Sequence, residues 1–216
     1  MAWSAENATK AFLRTLKLGN KAAEPDVAAF VSALAAGSGS RLLVDVPAGP
    51  AGPTMLALLT AAQQTGGRAA CIVRGPEELR ASIEFLGPEH AARVNLVVGD
   101  AARLLLGGGG LGGADFVLVD CRLENHARVF GAAQASAAEA GGGFVVVRNA
   151  ALCDLPAVDG SGRGLRVDLL PIGGGLRVCR VPTAARRSQW VVRVDECTGE
   201  EHVFRITSPR KKWIEA

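Results

Sequence analysis

The chain has 216 residues, 49% of them hydrophobic and 21% charged, with a formal net charge of +3. That is enough apolar material for one full core, while the basic excess is scattered, with one small cluster at Arg210-Lys211-Lys212, too little for a nucleic-acid footprint. Charged residues, Pro and Gly interrupt every apolar stretch before it reaches the roughly 20 residues of a membrane span.

Ser4 can cap a first helix whose Ala8, Ala11, Phe12, Thr15 and Leu16 share one face, with Gly19 as its stop. The same stretch holds one acid, Glu6, and its pattern also suits a transit peptide; the folded helix is the reading adopted. A signal peptide would need a basic segment followed by an apolar core, and neither is present. A second helix follows Pro25-Asp26, burying Val27, Phe30, Val31 and Leu34 and stopping in Gly37-Ser38-Gly39-Ser40. Strands and helices then alternate: a strand over Leu42 to Val46, a helix from Pro53 to about Gln64, a strand over Ala69 to Val73, and a helix from Pro76 to about Leu86.

Three further apolar runs each end in polar residues. They are Val94 to Val98 before Gly99-Asp100-Ala101, Phe116 to Val119 before Asp120, and Phe144 to Val147 before Arg148-Asn149, with a long helix near Leu123 to Ala140 between the last two. Valine-rich runs of this kind suit strands of a parallel sheet covered on both faces. Ligands of such sheets bind beyond the carboxyl ends of the strands, so Asp100, Asp120, Arg148 and Asn149 are expected along one crevice. Gly107 to Gly113 has few side chains to pack and is expected to be a mobile surface loop.

After Asn149 the pattern changes. Leu165 to Leu170 and Leu176 to Val181 flank a short glycine-rich turn and must be antiparallel. A second hairpin is expected at Trp190 to Val194 and His202 to Ile206 around Gly199, one face buried and one wet, followed by a frayed tail. This hairpin can cap the sheet or pair two copies of the chain. One α/β domain over residues 1–216 is expected, with N-terminal helices over 1–40, a doubly wound core over 41–181 and the extra hairpin and basic tail over 182–216. Cys71, Cys121, Cys153, Cys179 and Cys197 are odd in number and far apart. They read as reduced thiols of a cytosolic or nuclear protein, not as a disulfide frame or zinc site, with Cys121 a buried structural thiol.

Several strings carry a family resemblance. Five parallel strands ending in an antiparallel hairpin resemble the Rossmann-like fold of class I S-adenosylmethionine-dependent methyltransferases. Gly99-Asp100-Ala101 resembles the segment that approaches the adenine in small-molecule O-methyltransferases, and Phe116 to His126 resembles their fourth strand end and the polar run after it. Leu169 to Leu176 is similar to their final hairpin. The opening Trp3 to Ala11, with Val119-Asp120-Cys121-Arg122, is similar to a plant family of unknown function described as methyltransferase-like. The resemblance implies S-adenosylmethionine as cofactor, Asp45, Gly49, Gly52, Asp100 and Ala101 around it, and Asp120 and His126 as catalytic candidates.

The departures matter equally. In cation-dependent relatives a metal sits on residues matching Asp120, Arg148 and Asn149, and a guanidinium repels Mg²⁺, so no metal is expected there. Leu123 stands where a lysine is expected and His126 where a tyrosine is, making His126 a general-base candidate against a plain packing role. Pro47, Pro50 and Pro53 supply no N–H to the turn after the first strand. Arg74 stands where relatives place a ribose-binding acid; the nearest acids are Glu77 and Glu78, and Arg74 itself would suit the 2′-phosphate of NADP. The leading reading is a methyltransferase of unknown substrate, small molecule or protein; the alternatives are a non-catalytic interaction protein that keeps the fold and a dehydrogenase.

Overall fold

Strand residues alternate between two apolar faces, and each face is covered by helices. The structure is a computed structural model, and it describes residues 3–18, 25–107, 110–153, 166–182, 188–194 and 201–207; for 25–26, 166–168 and the last two segments it describes the backbone only. Strands β1 (Leu42–Val46), β2 (Arg68–Val73), β3 (Val94–Val98), β4 (Phe116–Asp120), β5 (Gly143–Arg148), β6 (Arg166–Leu170) and β7 (Leu176–Val181) form one sheet in the order β3-β2-β1-β4-β5-β7-β6. Pairing is parallel from β3 through β5, and β7 is antiparallel to both β5 and β6. This is the expected α/β sheet, mostly parallel with an antiparallel hairpin at its end.

Helices α1 (Ala5–Leu18), α2 (Pro25–Gly37) and α3 (Pro53–Thr65), with α4 (Pro76–Ala91), cover the face that carries Leu43, Phe116, Leu118 and Val146. Helices α5 (Ala101–Leu105) and α6 (His126–Glu139) cover Val44, Val117, Val119, Val145 and Val147 on the other. The period of two along each strand therefore puts Asp45, Asp120 and Arg148 on one face, one or two residues beyond its apolar layer. At the opposite end of the sheet the buried Asp115 carboxylate accepts the N–H groups of Arg41 and Leu42 at 2.8–3.0 Å, satisfying donors that begin β1. Gly143 pairs closely beside it, since a Cβ there would sit on the Asp115 carbonyl oxygen.

Several expectations are corrected. On α1 the buried residues are Ala8, Ala11 and Thr15, whereas Phe12 and Leu16 stay 39% and 48% exposed. Small side chains let α1 approach α2 closely enough for the Thr15 hydroxyl to donate to Ser32 Oγ at 2.9 Å, and this leaves the larger residues outside. Helix α4 runs past Leu86 through a kink at Gly87, where φ is 70°, ahead of Pro88. The glycine-rich segment is anchored by Leu111, only 1% exposed and part of the second core layer; residues 108 and 109 lie outside the described residues. The helix expected from about Leu123 starts at His126.

Residues 184–216 form a separate compact unit. Within it β8 (Ser188–Val194) and β9 (Glu201–Thr207) pair antiparallel, with Ser188 opposite Thr207 and Val194 opposite Glu201. The expected hairpin is present; its turn at Gly199, its side-chain alternation and the basic tail lie outside the described residues.

Candidate functional site

Asp120 ends β4 and Arg148 ends β5, directly opposite each other in the parallel register. Arg148 Nη2 lies 2.9 Å from Asp120 Oδ2, and Asn149 Nδ2 donates to Oδ1 at 2.9 Å. Arg122 completes the set: its backbone N–H donates to Oδ1 at 3.0 Å and its Nη2 to Oδ2 at 2.9 Å, with Nε shared between the oxygens. A carboxylate offers roughly four lone-pair sites, and these five donors fill them. The side chain of Asp120 is fully buried. Burial pushes its carboxyl up, but the hydrogen bonds and charges of Arg122, Arg148 and Asn149 prevail and hold it at about 2. Asp120 is therefore an anchored anion with no lone pair for a metal or for a substrate proton.

Asn149 is the one described non-glycine residue with positive φ, at 59°, a conformation Asn tolerates better than most. It is held by the hairpin turn before β7: the Ala150 and Ala151 N–H groups donate to the carbonyls of Gly175 and Gly174 at 2.9 and 3.1 Å. A Cβ on Gly174 would come within 2.7 Å of Asn149 Oδ1, so that approach requires glycine.

Asp45, fully buried near the end of β1, accepts from Thr54 Oγ1 on Oδ2 at 2.9 Å, while Oδ1 has no partner. Burial pushes its carboxyl up, Asp120 adds to this, and Arg148 and Thr54 act against it. The turn from Val46 to Pro53 is fixed from outside, because the Ala51 N–H donates to Ser82 Oγ on α4 at 2.8 Å. A Cβ on Gly49 or Gly52 would meet nothing within 4 Å, so both border open space. Arg74 is committed: its Nη2 donates to the Ala48 carbonyl at 2.9 Å and lies 3.4 Å from Glu78, in the first turn of α4. With three prolines in the turn and Arg74 engaged, the donors an NADP phosphate needs are scarce.

Asp100 caps α5 by accepting the Arg103 N–H at 3.1 Å, and its other oxygen lies 3.2 Å from Arg128 Nη2. The capping bond, with Arg128 and Arg103 beside it, holds its carboxyl below the usual range against some desolvation. Ala101 follows, buried, as the first residue of α5. Arg128 belongs to the first turns of α6, which begins at His126, so one helix start reaches both Asp100 and the residues after β4. His126 Nδ1 lies 2.8 Å from the Leu123 carbonyl. A carbonyl only accepts, so Nδ1 is the donor in this contact.

The cysteine expectation is corrected. Cys121 and Cys153 form a disulfide with a Cα separation of 6.1 Å, and a ring nitrogen of His126 and both sulfurs lie within 4.8 Å of one another. They are 32 residues apart in sequence, and only the parallel pairing of β4 and β5 brings them together. Cys71 and Cys179 are free and buried, and burial pushes both thiols up. Cys197 lies outside the described residues.

A family model described as "Protein of unknown function (DUF1442)" matches residues 1–206. The chain belongs to this family. Solved structures similar to it include a methyltransferase from Geobacter sulfurreducens, at 19% identity and a TM-score of 0.60, covering 82% of this chain and 90% of that one. The S-adenosylhomocysteine-bound methyltransferase PaMTH1 from Podospora anserina has 15% identity and a TM-score of 0.58, covering 83% and 89%. The O-methyltransferase TomG from Streptomyces achromogenes, in complex with S-adenosylmethionine, has 19% identity and a TM-score of 0.57, covering 84% and 92%. At such identities the likeness shows the class I methyltransferase fold, in agreement with the strand order of this DUF1442 chain. The search of curated proteins gives no match. Among the described residues no helix is long and apolar enough to cross a membrane.

The structure thus brings Asp120, Arg148 and Asn149 into contact, couples Asp45 to them electrostatically, and ties Asp100, through Arg128, to the helix that His126 begins. Sequence reasoning missed Arg122 and the Cys121–Cys153 contact. Arg122 was legible in principle, since a residue two positions after a buried strand-end carboxylate can return both backbone and side chain to it.

Proposed function

We propose that this DUF1442 protein binds S-adenosylmethionine at the carboxyl ends of β1 to β4 and is a methyltransferase that needs no divalent ion at Asp120. The observation that carries the proposal is the orphaned, buried Asp45 Oδ1 beside a turn whose Gly49 and Gly52 leave open space. A buried acceptor without a partner costs free energy until a donor arrives, and the ammonium of a bound amino-acid moiety is such a donor. Asp100 and Ala101 would meet the adenine end, and Glu78, which lies 3.4 Å from Arg74, would be the carboxylate to meet ribose hydroxyls.

When bound, the cofactor supplies an electrophilic methyl group to a nucleophile. The chain's own work is then positioning and exclusion of water. The anchored Asp120 fixes the geometry of Asn149 and Arg148, and His126, its Nδ1 engaged with the Leu123 carbonyl, is the candidate to take a proton from the incoming nucleophile. The substrate, a small molecule or a protein, is not identified by these residues. A plant source is part of the same reading, on the resemblance carried by Trp3 to Ala11 and Val119 to Arg122.

Calorimetric titration of the full chain with S-adenosylmethionine, S-adenosylhomocysteine and NADP tests the proposal. Saturable heats from the first two and none from NADP are expected. Binding with no methyl transfer to any tested acceptor would leave the fold in a non-catalytic interaction role, and absence of binding would end the cofactor reading.

A further inference from the structure

Cys121, Cys153 and His126 come from three separately fixed points of the fold. Cys121 follows β4, and its N–H donates to the Arg148 carbonyl at 3.1 Å. Cys153 follows the 3-10 turn Ala150–Leu152, which is pinned by Gly174 and Gly175. His126 opens α6 with its backbone N–H on the Leu123 carbonyl at 3.1 Å. Their donor atoms lie within 4.8 Å of one another, Cys121 buried and the other two partly exposed.

From this convergence we propose that, with both thiols reduced, the three residues hold a soft divalent ion of the Zn²⁺ type, with the fourth position open to solvent or a ligand. Two thiolates and one imidazole are the donor set such ions prefer, at about 2.3 Å for sulfur and about 2.0–2.1 Å for nitrogen. Tetrahedral geometry at those lengths needs donors roughly 3.5–3.8 Å apart, which a cluster this tight reaches with side-chain rotation. Metal-bound histidines usually give their other N–H to a carbonyl or carboxylate, and the 2.8 Å contact of Nδ1 with the Leu123 carbonyl would serve in that way with Nε2 on the ion. A disulfide alone would not need a third donor held in this way. A low-molecular-weight thiol first opens the disulfide by exchange and is itself oxidised to its disulfide, leaving two protein thiols. Binding is then a ligand exchange in which the aqua ion sheds waters, two thiol protons leave for bulk water, and two S–metal bonds and one N–metal bond form with no further change of oxidation state.

The site is distinct from the carboxylate site of cation-dependent methyltransferases, which Arg148 closes here, and the inference does not depend on the methyl-transfer reading. An ion would occupy the His126 ring nitrogen, so metal binding and the proton-accepting role considered above would compete for the same side chain.

The test is cobalt(II) titration of the full chain, stripped with chelator and kept in a non-thiol phosphine reductant, after a thiol count confirms reduction. Intense thiolate-to-cobalt absorption and tetrahedral d–d bands saturating at one equivalent, and displaced by Zn²⁺, are expected. Cys121→Ser and Cys153→Ser should lose the thiolate bands and His126→Ala should bind at least about tenfold more weakly, while Cys71→Ser/Cys179→Ser keeps the wild-type spectrum. Mass-spectrometric mapping of alkylation in the wild type gives a readout independent of variant folding: Zn²⁺ should protect Cys121 and Cys153. The proposal is overturned if the reduced wild type gives no thiolate–cobalt band, if Zn²⁺ protects neither cysteine, if the band survives in either serine variant, or if the two cysteines stay oxidised in the folded, reductant-treated protein.

Discussion

Replacing Asp120 by Asn keeps the shape of the side chain and removes the charge that Arg122 and Arg148 enclose. The folded carboxyl lies at about 2 against an ordinary 3.8. That gap of roughly two units corresponds to about 2.5 kcal/mol of stability at neutral pH. Removing one partner of a buried pair also strands the other, here Arg148, whose side chain is only 16% exposed; such losses run to about 3–5 kcal/mol. Asp120→Asn should therefore lower the unfolding free energy by about 3 kcal/mol at pH 7. A group with a depressed folded pKa contributes stability that is complete above its unfolded value and lost as pH falls through its folded value. The difference between wild type and variant should thus hold down to about pH 4 and shrink toward zero near pH 2. Asp45 acts with the opposite sign, because its raised carboxyl is protonated more readily in the folded state, and taking the difference largely removes its contribution. Urea unfolding followed by circular dichroism across that pH series measures it. Curves for the two proteins that stay parallel from pH 7 to pH 2, or a loss under about 0.5 kcal/mol at pH 7, would refute the reasoning.

Arg148→Asp would set a second carboxylate beside Asp120 and Asn149 and should create a Mg²⁺ response in a thermal-shift titration, where the wild type gives none; wild-type Mg²⁺ binding at this site would contradict the anchored-anion account. Gly174→Ala should cost about 1–3 kcal/mol by forcing Asn149 off the turn, measured by chemical denaturation, and an unchanged midpoint would show that the turn yields freely. Gly49→Ala adds a Cβ to open space, so stability should stay within about 0.5 kcal/mol while S-adenosylhomocysteine affinity falls at least about tenfold; equal affinities would place the ligand elsewhere.

The sheet was legible because valine runs covered on both faces leave little choice of partner, and because two strands joined by so short a turn must be antiparallel. The contact between Asp120, Arg148 and Asn149 followed from the same logic, since residues at the ends of neighbouring parallel strands are held side by side by register. What stayed hidden depends on three-dimensional detail. The exposed face of α1 followed from close packing on Ser32, which favours small residues over large ones and is invisible to a hydrophobicity count. Leu111 looked like a lone apolar residue in a glycine-rich loop, and only the folded core layer under α5 and α6 gives it a place. The Cys121–Cys153 contact joins the end of one strand to a turn beyond the next, a distance that spacing in sequence does not encode. Asp100 illustrates the opposite limit: its placement was expected, yet its cap on α5 and its pair with Arg128 are structural roles that sequence alone could not separate from ligand binding.

The central claim is that the crevice beside Asp45 receives the amino-acid end of an S-adenosyl ligand. It is tested most directly by titrating S-adenosylhomocysteine into the wild type and Asp45→Asn in parallel by calorimetry. The account predicts saturable one-to-one binding to the wild type and clearly weaker binding to the variant, because an amide replaces the carboxyl group whose unpartnered oxygen would meet the ligand ammonium. Absence of heat from the wild type at millimolar ligand, or equal affinity for the two proteins, would contradict it.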